Sequence, residues 1–274
     1  MRSGPVGGTI LIVLFAARPL LAGETTPAGP EFRVNSTTTG GQRFPSIASD
    51  AQGNFVVVWQ TLSGGGVFGQ RYASDGSPRG SQFDVFTAGA PGLASVASDP
   101  SGAFVVVFEL SDYAGNGVFG QRFDSAGVNL GGGVIFRVNS YVTGNQERPS
   151  VAVGPTGDFV VVWSSKDQDG SSYGVFGQRI ASAGTPLGGE FQVNESTTGI
   201  QYRPDVATDS QGNFVVVWTG SGPSSGDVYG RRYASSGSPL GSEFRVNTYT
   251  SNNQGDPDLT VLPSGDFVVV WGSS

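Results

Sequence analysis

The chain contains neither cysteine nor histidine. Without cysteine there is no disulfide, no thiol nucleophile and no thiolate metal site. Without histidine, Ser-His-Asp and Cys-His arrangements and the usual imidazole zinc sites are excluded. Methionine occurs once, as the initiator. Positive charge is scarce: 15 Lys and Arg stand against 22 Asp and Glu, a formal net charge of −7. That balance opposes binding of nucleic acid, or of an anionic membrane, through bulk electrostatics. Helical periodicity is missing everywhere after the N-terminal segment.

Turn formers, by contrast, are plentiful, with 44 Gly and 16 Pro in 274 residues. The apolar residues between them are ordered and periodic, which suits many tight turns between strands rather than disorder. At the N-terminus Arg2 precedes the apolar run Thr9–Ala17, and Leu20-Leu21-Ala22-Gly23 follows. This is the pattern of a secretory signal peptide over 1–22, cleaved after Ala22, with a linker over 23–30. An uncleaved anchor is the alternative, but Arg18 and Pro19 leave the run short of the roughly 20 apolar residues a span requires. The mature protein is therefore expected outside the cell or at its surface, with no membrane insertion after cleavage.

The strongest signal is internal repetition. FVVVW at Phe55–Trp59 returns as FVVVF at Phe104–Phe108 and as FVVVW at Phe159–Trp163, Phe214–Trp218 and Phe267–Trp271, spaced 49, 55, 55 and 53 residues apart. Between these words lie VFGQRY (Val67–Tyr72), VFGQRF (Val118–Phe123), VFGQRI (Val175–Ile180) and VYGRRY (Val228–Tyr233). FRVN-like words start at Phe32, Phe83, Phe136, Phe191 and Phe244, and PSVA-like words at Pro45, Ala94, Pro149, Pro204 and Pro257. In each unit the order is A (PSVA), B (FVVVW), C (VFGQR) and D (FRVN). All four are strands by propensity and by their Gly, Ser, Asp and Pro boundaries.

Four strands in about 50 residues, repeated, define an all-β chain with β-propeller blades. The expected boundaries are a D strand at 31–35, blades at 45–86, 94–139, 149–194 and 204–247, and a partial fifth blade at 257–274, which has no C word. That deficit reads as a C-terminal truncation or as a five-bladed ring with a defective last blade. Strand B does not alternate apolar and polar residues, so both its faces must be buried. Phe55, Val57 and Trp59 would face one neighbouring blade, and Val56 and Val58 the other. The Gly within each C strand (Gly69, Gly120, Gly177, Gly230) marks close approach of a bulky neighbour, for which the Trp ending strand B is the candidate.

The words VFGQR, GGEFQVN and GDFVVVW resemble a repeat of large, uncharacterised, multidomain secreted and surface proteins of bacteria, over roughly Glu31–Ser274. The resemblance implies a propeller-like extracellular module and carries over no catalytic residue. The signature words of WD40 and kelch blades are absent. The turn motif of sialidase-like propellers is not matched, since Ser49-Asp50-Ala51-Gln52-Gly53 sets its glycine one place late.

Candidate chemistry is sparse. The Arg ladder in strand C (Arg71, Arg122, Arg179, Arg232) could bind anions, but the structural reading pairs it with carboxylates such as Glu190 and Glu243 on the next strand. Gln42, Gln146, Gln201 and Gln254 are expected to bond the D–A connectors. Lys166–Ser172 has the look of a partial calcium loop without the acids of a complete one, so no cofactor and no metal site is expected there. The repeats differ most between B and C, where variable loops on a rigid scaffold carry binding function. Asp112, Tyr113, Asn116, Asp167, Asp169, Tyr173 and Asp227 are the candidate ligand-binding residues, of a chemistry suited to a glycan or a surface protein. The resulting expectation is a secreted, non-enzymatic binding or adhesion module, possible as a lectin. The alternatives are a structural repeat of a larger surface protein and a carboxylate-based glycoside hydrolase.

Since blades must hide one another's B strands, a lone repeat such as residues 149–194 is expected to stay unfolded. Circular dichroism should show no cooperative melting; a sharp transition would count against blade-on-blade burial.

Overall fold

Each FVVVW-type word forms the second strand of an antiparallel sheet, and the computed structural model shows why it can be apolar on both sides. The structure describes residues 11–12, 30–62, 65–221, 226–262 and 264–274. A short pair comes first, β1 (Leu11–Ile12) with β2 (Phe32–Arg33). Blade 1 is β3 (Gln42–Ser49), β4 (Phe55–Thr61), β5 (Gly66–Tyr72) and β6 (Phe83–Phe86). Blade 2 is β7 (Ala94–Ser98), β8 (Phe104–Asp112), β9 (Gly115–Phe123) and β10 (Phe136–Arg137). Blade 3 is β11 (Gln146–Val153), β12 (Phe159–Lys166), β13 (Tyr173–Ile180) and β14 (Phe191–Gln192). Blade 4 is β15 (Gln201–Thr208), β16 (Phe214–Ser221), β17 (Gly226–Tyr233) and β18 (Phe244–Arg245). The fifth sheet holds β19 (Gln254–Val261) and β20 (Phe267–Ser273).

The sheets run in chain order A-B-C-D, and their A strands border one channel. The protein is a β-propeller. Apart from Leu11, Ile12 and Pro30, the expected signal peptide and linker lie outside the described residues. Among the described residues no helix is long and apolar enough to cross a membrane.

Packing follows the two-sided B strand. Phe55, Val57 and Trp59 cluster with Phe32, Val34 and Tyr72, while Val56 and Val58 join Val96, Phe104, Val106 and Phe108 of blade 2. Blade 3 repeats the division: Val161 and Trp163 face Val105 and Val107, and Val160 and Val162 face Val216 and Trp218. Fully burying each such side chain contributes about 1.5–3 kcal/mol before entropy is counted. The A–B hairpins close as their composition demands. Asp50 Oδ1 accepts from the Gln52 and Asn54 N–H groups (2.9 and 2.8 Å), and Gly53 takes φ +78°. The four glutamines bond their connectors, Gln42 Nε2 to Thr39 O (3.2 Å), Gln146 to Thr143 O (3.1 Å), Gln201 to Thr198 O (3.0 Å) and Gln254 to Ser251 O (3.1 Å).

Two expectations are corrected. The neighbour above the strand-C glycines is the Phe that opens strand D, not the Trp that ends strand B. Gly120 pairs directly with Phe136, and a Cβ built on it would stand 2.6 Å from that ring. Three rungs of the Arg ladder, Arg71, Arg122 and Arg179, reach across to the next blade rather than to carboxylates. Arg71 Nη1 donates to Ser125 O (2.8 Å), Arg179 Nη1 to Ser236 O (2.5 Å) and Arg122 Nη1 to Ser182 O. The long side chains meet bare C–D turn carbonyls there, while Glu190 Oε2 accepts from the N–H and Oγ of Ser140 (2.7 and 3.0 Å).

Gly120→Ala must push its methyl into Phe136 and is expected to destabilise by about 1–3 kcal/mol. Gly189→Ala, where a Cβ meets nothing within 4 Å, should change stability by less than about 0.5 kcal/mol. Chemical denaturation of the pair checks this.

Candidate functional site

The A strands of all five sheets surround a channel of about 700 Å³. In four of them a β-bulge precedes the channel-lining stretch, with register shifts at Arg43/Ser46, Glu147/Ser150, Tyr202/Asp205 and Gly255/Asp258. The residue before proline at each bulge is left-handed: Phe44, Arg148, Arg203 and Asp256 have φ of 51–55°. Such backbone costs on the order of 1–3 kcal/mol per residue and persists only where surroundings over-determine it. They do so here. The residue following the B-strand Trp or Phe of the preceding blade binds the strained N–H: Arg148 N donates to Glu109 Oε1 (2.7 Å), Arg203 N to Ser164 Oγ (3.0 Å) and Asp256 N to Thr219 Oγ1 (3.0 Å).

Deeper in the channel a second polar belt joins successive A strands. Ser46 Oγ accepts from Val96 N (3.2 Å) and Ser95 Oγ from Val151 N (3.4 Å). Ser150 Oγ donates to Asp205 Oδ1 (2.7 Å), whose Oδ2 accepts from Leu259 N (2.8 Å). Burial in this wall is the main force that raises the Asp205 carboxyl to about 6, and the charge of Asp258 adds to it. Asp205 is thus a tie between blades, at a position that the first three blades fill with serine.

Glu109 departs from the repeat in a different way. Its equivalents are Gln60, Ser164 and Thr219, all uncharged. The carboxylate is accommodated where Gly92 leaves space, since a Cβ on Gly92 would come within 2.5 Å of Glu109 Oε2. Burial pushes its pKa upward and the charge of Glu147 reinforces the shift, against the Arg148 N–H bond. Glu147 also breaks the repeat, standing where Arg43, Tyr202 and Gly255 stand in other blades. Its Oε1 accepts from Asn145 Nδ2 (2.8 Å) and its Oε2 from the Tyr173 hydroxyl (3.3 Å). Burial, then the Glu147 charge, push the Tyr173 phenol up, so it stays a donor. Beside the channel, blades 2 and 3 therefore assemble two non-repeating carboxylates with Asn145, Arg148 and Tyr173.

The sequence-predicted residues divide. Tyr173 enters this cluster, and Asn116 N donates to Asn145 Oδ1 (3.2 Å) at its border. Asp112 is tied in an ion pair with Arg137. Asp227 is buried and accepts from Asn247 Nδ2 (2.7 Å), which makes it a structural anchor rather than a loop group open to ligand. Asp169 accepts from Ser171 N (3.1 Å) and Asn194 Nδ2 (3.2 Å). Asp167 sits beside it in the turn at φ 59°, and Tyr113 projects fully into solvent. In blades 2 and 3 the strands keep pairing into the variable B–C segments: Asp112 faces Gly115 across a two-residue turn, and Lys166 pairs Tyr173. Among the described residues no group of three or more acidic side chains could hold a metal ion. The sequence reading missed Glu109 and Glu147; their signal was departure from otherwise uncharged or unlike repeat positions.

No family model matches the chain, and no curated protein matches it. Solved structures do share its fold. The alpha-L-arabinofuranosidase of Fusarium graminearum, in complex with an iminosugar inhibitor, superposes with a TM-score of 0.60 at 12% identity, over 97% of this chain and 80% of that one. The alpha-L-arabinanase of Penicillium chrysogenum, complexed with arabinobiose, gives 0.58 at 13% identity, over 85% and 76%. A protein of unknown function from Dyadobacter fermentans gives 0.60 at 12% identity, over 86% and 73%. At these identities the likeness is one of fold.

The belt carries a pH signature. Folded Asp205 binds its proton up to about pH 6, against 3.8 for the free side chain. Between these values the folded state holds the extra proton, so this group's contribution falls as pH rises, by on the order of 2–3 kcal/mol in all. Asp205→Ser should remove that slope from thermal melts taken between about pH 4 and 7; an unchanged slope would place the titration elsewhere.

Proposed function

We propose that this protein is a secreted glycoside hydrolase that cleaves arabinose-containing polysaccharide beside the propeller channel. The observation that carries this reading is the pairing of Glu109 with Glu147, two carboxylates that break the repeat and that the fold brings together. Glycoside hydrolysis needs two such groups in different protonation states. Glu109, with its raised pKa, is the group to protonate the departing glycosidic oxygen. Glu147, oriented by Asn145 and Tyr173, is the carboxylate to meet the attacking water or the anomeric carbon. Arg148 and the exposed face of the channel would hold hydroxyl groups of the sugar. Support also comes from the propeller shared with an arabinofuranosidase and an arabinanase. The signal-like run Thr9–Ala17 supports export.

A second reading is favoured by one specific feature. Tyr113 stands wholly in solvent at the tip of a tight hairpin, an exposure that suits stacking on a sugar face without catalysis.

Arabinan and an aryl arabinofuranoside are the first substrates to assay. Release of sugar, lowered about 10²–10⁴-fold by Glu109→Gln and by Glu147→Gln with melting temperature retained, is the expected result. Loss of kcat/KM on the alkaline side should track Glu109 and disappear in its Gln variant. An inactive wild type that binds glycan, with binding lost in Tyr113→Ala, replaces the hydrolase by the lectin reading. Neither activity nor binding overturns both.

A further inference from the structure

The clefts between successive blades repeat, and one of them departs from the pattern. At the end of the sheets where the A–B hairpins and C–D turns lie, blades 1 and 2 enclose about 20 Å³, blades 2 and 3 about 200 Å³, and blades 3 and 4 about 270 Å³. Asp50, Asn54, Arg71 and Arg79 crowd the first of these clefts. Both Asp50 oxygens are used there, Oδ1 by the Gln52 and Asn54 N–H groups and Oδ2 by Asn54 Nδ2 (2.7 Å). Blade 3 has Gly154 in place of Asp50, Asp158 in place of Asn54 and Leu187 in place of Arg79. Asp158 Oδ1 accepts from Ser182 N (2.9 Å), and no donor reaches its Oδ2 among the described residues. Arg179 shifts as well. Arg71 and Arg122 donate to the carbonyls of Ser125 and Ser182, whereas Arg179 passes the equivalent Ser235 and donates to Ser236 O (2.5 Å). Gln211 and Ser235 bond through their N–H groups, to Asp209 Oδ1 (2.8 Å) and Asn213 Oδ1 (3.1 Å), and their side chains to nothing among the described residues. The cleft between blades 2 and 3 is nearly as roomy but has Ala103 where Asp158 stands.

We propose that the cleft between blades 3 and 4 binds a single neutral sugar ring of pentose or hexose size. Its volume equals that of about nine waters at ~30 Å³ each, room for one ring with its hydroxyl groups. Phe159, Phe214, Val160 and Leu187 give it an apolar wall for the C–H face of the ring. Asp158 and Arg179 stand with Gln211 and Ser235 around that wall. A sugar hydroxyl donates and accepts at once, so neighbouring hydroxyls need an acceptor beside a donor. Asp158 Oδ2 is the acceptor, the guanidinium of Arg179 is the donor, and the Gln211 amide and Ser235 hydroxyl supply both. One carboxylate with one guanidinium leaves the lining without net charge, which favours a neutral polyol over an anion or a cation. Glu109 follows the B-strand word of its blade, whereas Asp158 precedes the B-strand word of its own. The cleft therefore lies at the opposite end of the B strands from Glu109 and Glu147, and the proposal goes beyond the hydrolase reading without depending on it.

The test titrates the ¹⁵N-labelled full chain with L-arabinose and with D-galactose and follows backbone amide resonances. At least one of the two sugars is expected to shift the amides of Gly154, Thr156, Asp158 and Gln211 saturably, and to do so equally in Glu109→Gln. The double variant Gly154→Asp with Asp158→Asn rebuilds the hairpin of blades 1 and 4 and fills the cleft. It should fold, because Gly154 is not left-handed and a Cβ on it meets only Asp158 O at 3.4 Å and Gly212 Cα at 3.7 Å. Sugar affinity should fall by about tenfold or more in that variant, the effect of losing a hydrogen bond to a charged group, while any hydrolysis stays unchanged. Asp158→Asn alone keeps an oxygen for Ser182 N and should weaken binding several-fold. Unchanged affinity in both variants would overturn the proposal. So would larger shifts of the same amides with glycine or inorganic phosphate than with either sugar, or no shift at about 100 mM sugar, a hundredfold above a millimolar Kd.

Discussion

Burial of the B strand on both faces is the constraint from which the rest of the molecule follows. A strand such as Phe159–Trp163 has no side that tolerates water, so it needs a partner sheet in front and another behind. Satisfying that demand for the first four repeats sets the blades side by side around an axis, and the A strands then border a channel. The polar groups that remain are placed by this geometry. Bulges before Pro149, Pro204 and Pro257 turn the inner strands at the channel rim, and a side chain from the preceding blade binds each strained N–H.

Repetition makes departures informative. A belt built on Ser46, Ser95 and Ser150 becomes acidic at Asp205, and a cap that is a neutral hydroxyl at Ser164 and Thr219 becomes acidic at Glu109. The first change keeps its structural task, since both Asp205 oxygens hold neighbouring blades together. The second keeps its bond to the Arg148 N–H but sets a charge beside Glu147 in a place that neutral residues serve elsewhere, which raises its energetic cost. Local disagreement with an otherwise consistent pattern is where function is expected to reside.

Much was legible beforehand because it depends on short-range chemistry. The lack of alternation foretold that Val56 and Val57 meet different neighbours on opposite faces. Turn composition foretold the Asp50–Gly53 hairpin, and Gln spacing foretold the connector bonds. The site was less legible. Tyr173 and Asn116 were singled out for lying in variable segments, and they do border the cluster. Asp112, Asp169 and Asp227 were singled out on the same ground and prove to be tied to Arg137, Asn194 and Asn247. A one-dimensional reading cannot distinguish a carboxylate facing solvent from one satisfied by a strand 20 or more residues away.

The sequence by itself determined strand identity, strand order within a blade and the need for neighbours, because propensity, turn chemistry and side-chain period are local properties. Only the tertiary structure decided which residues meet across blades. It placed Phe136 over Gly120, sent Arg71 to a carbonyl of the next blade, and brought Glu109 from β8 against the bulge that holds Glu147 and Arg148. Those meetings depend on register and blade stacking, and both are fixed by the packing of whole sheets rather than by any one word of the repeat.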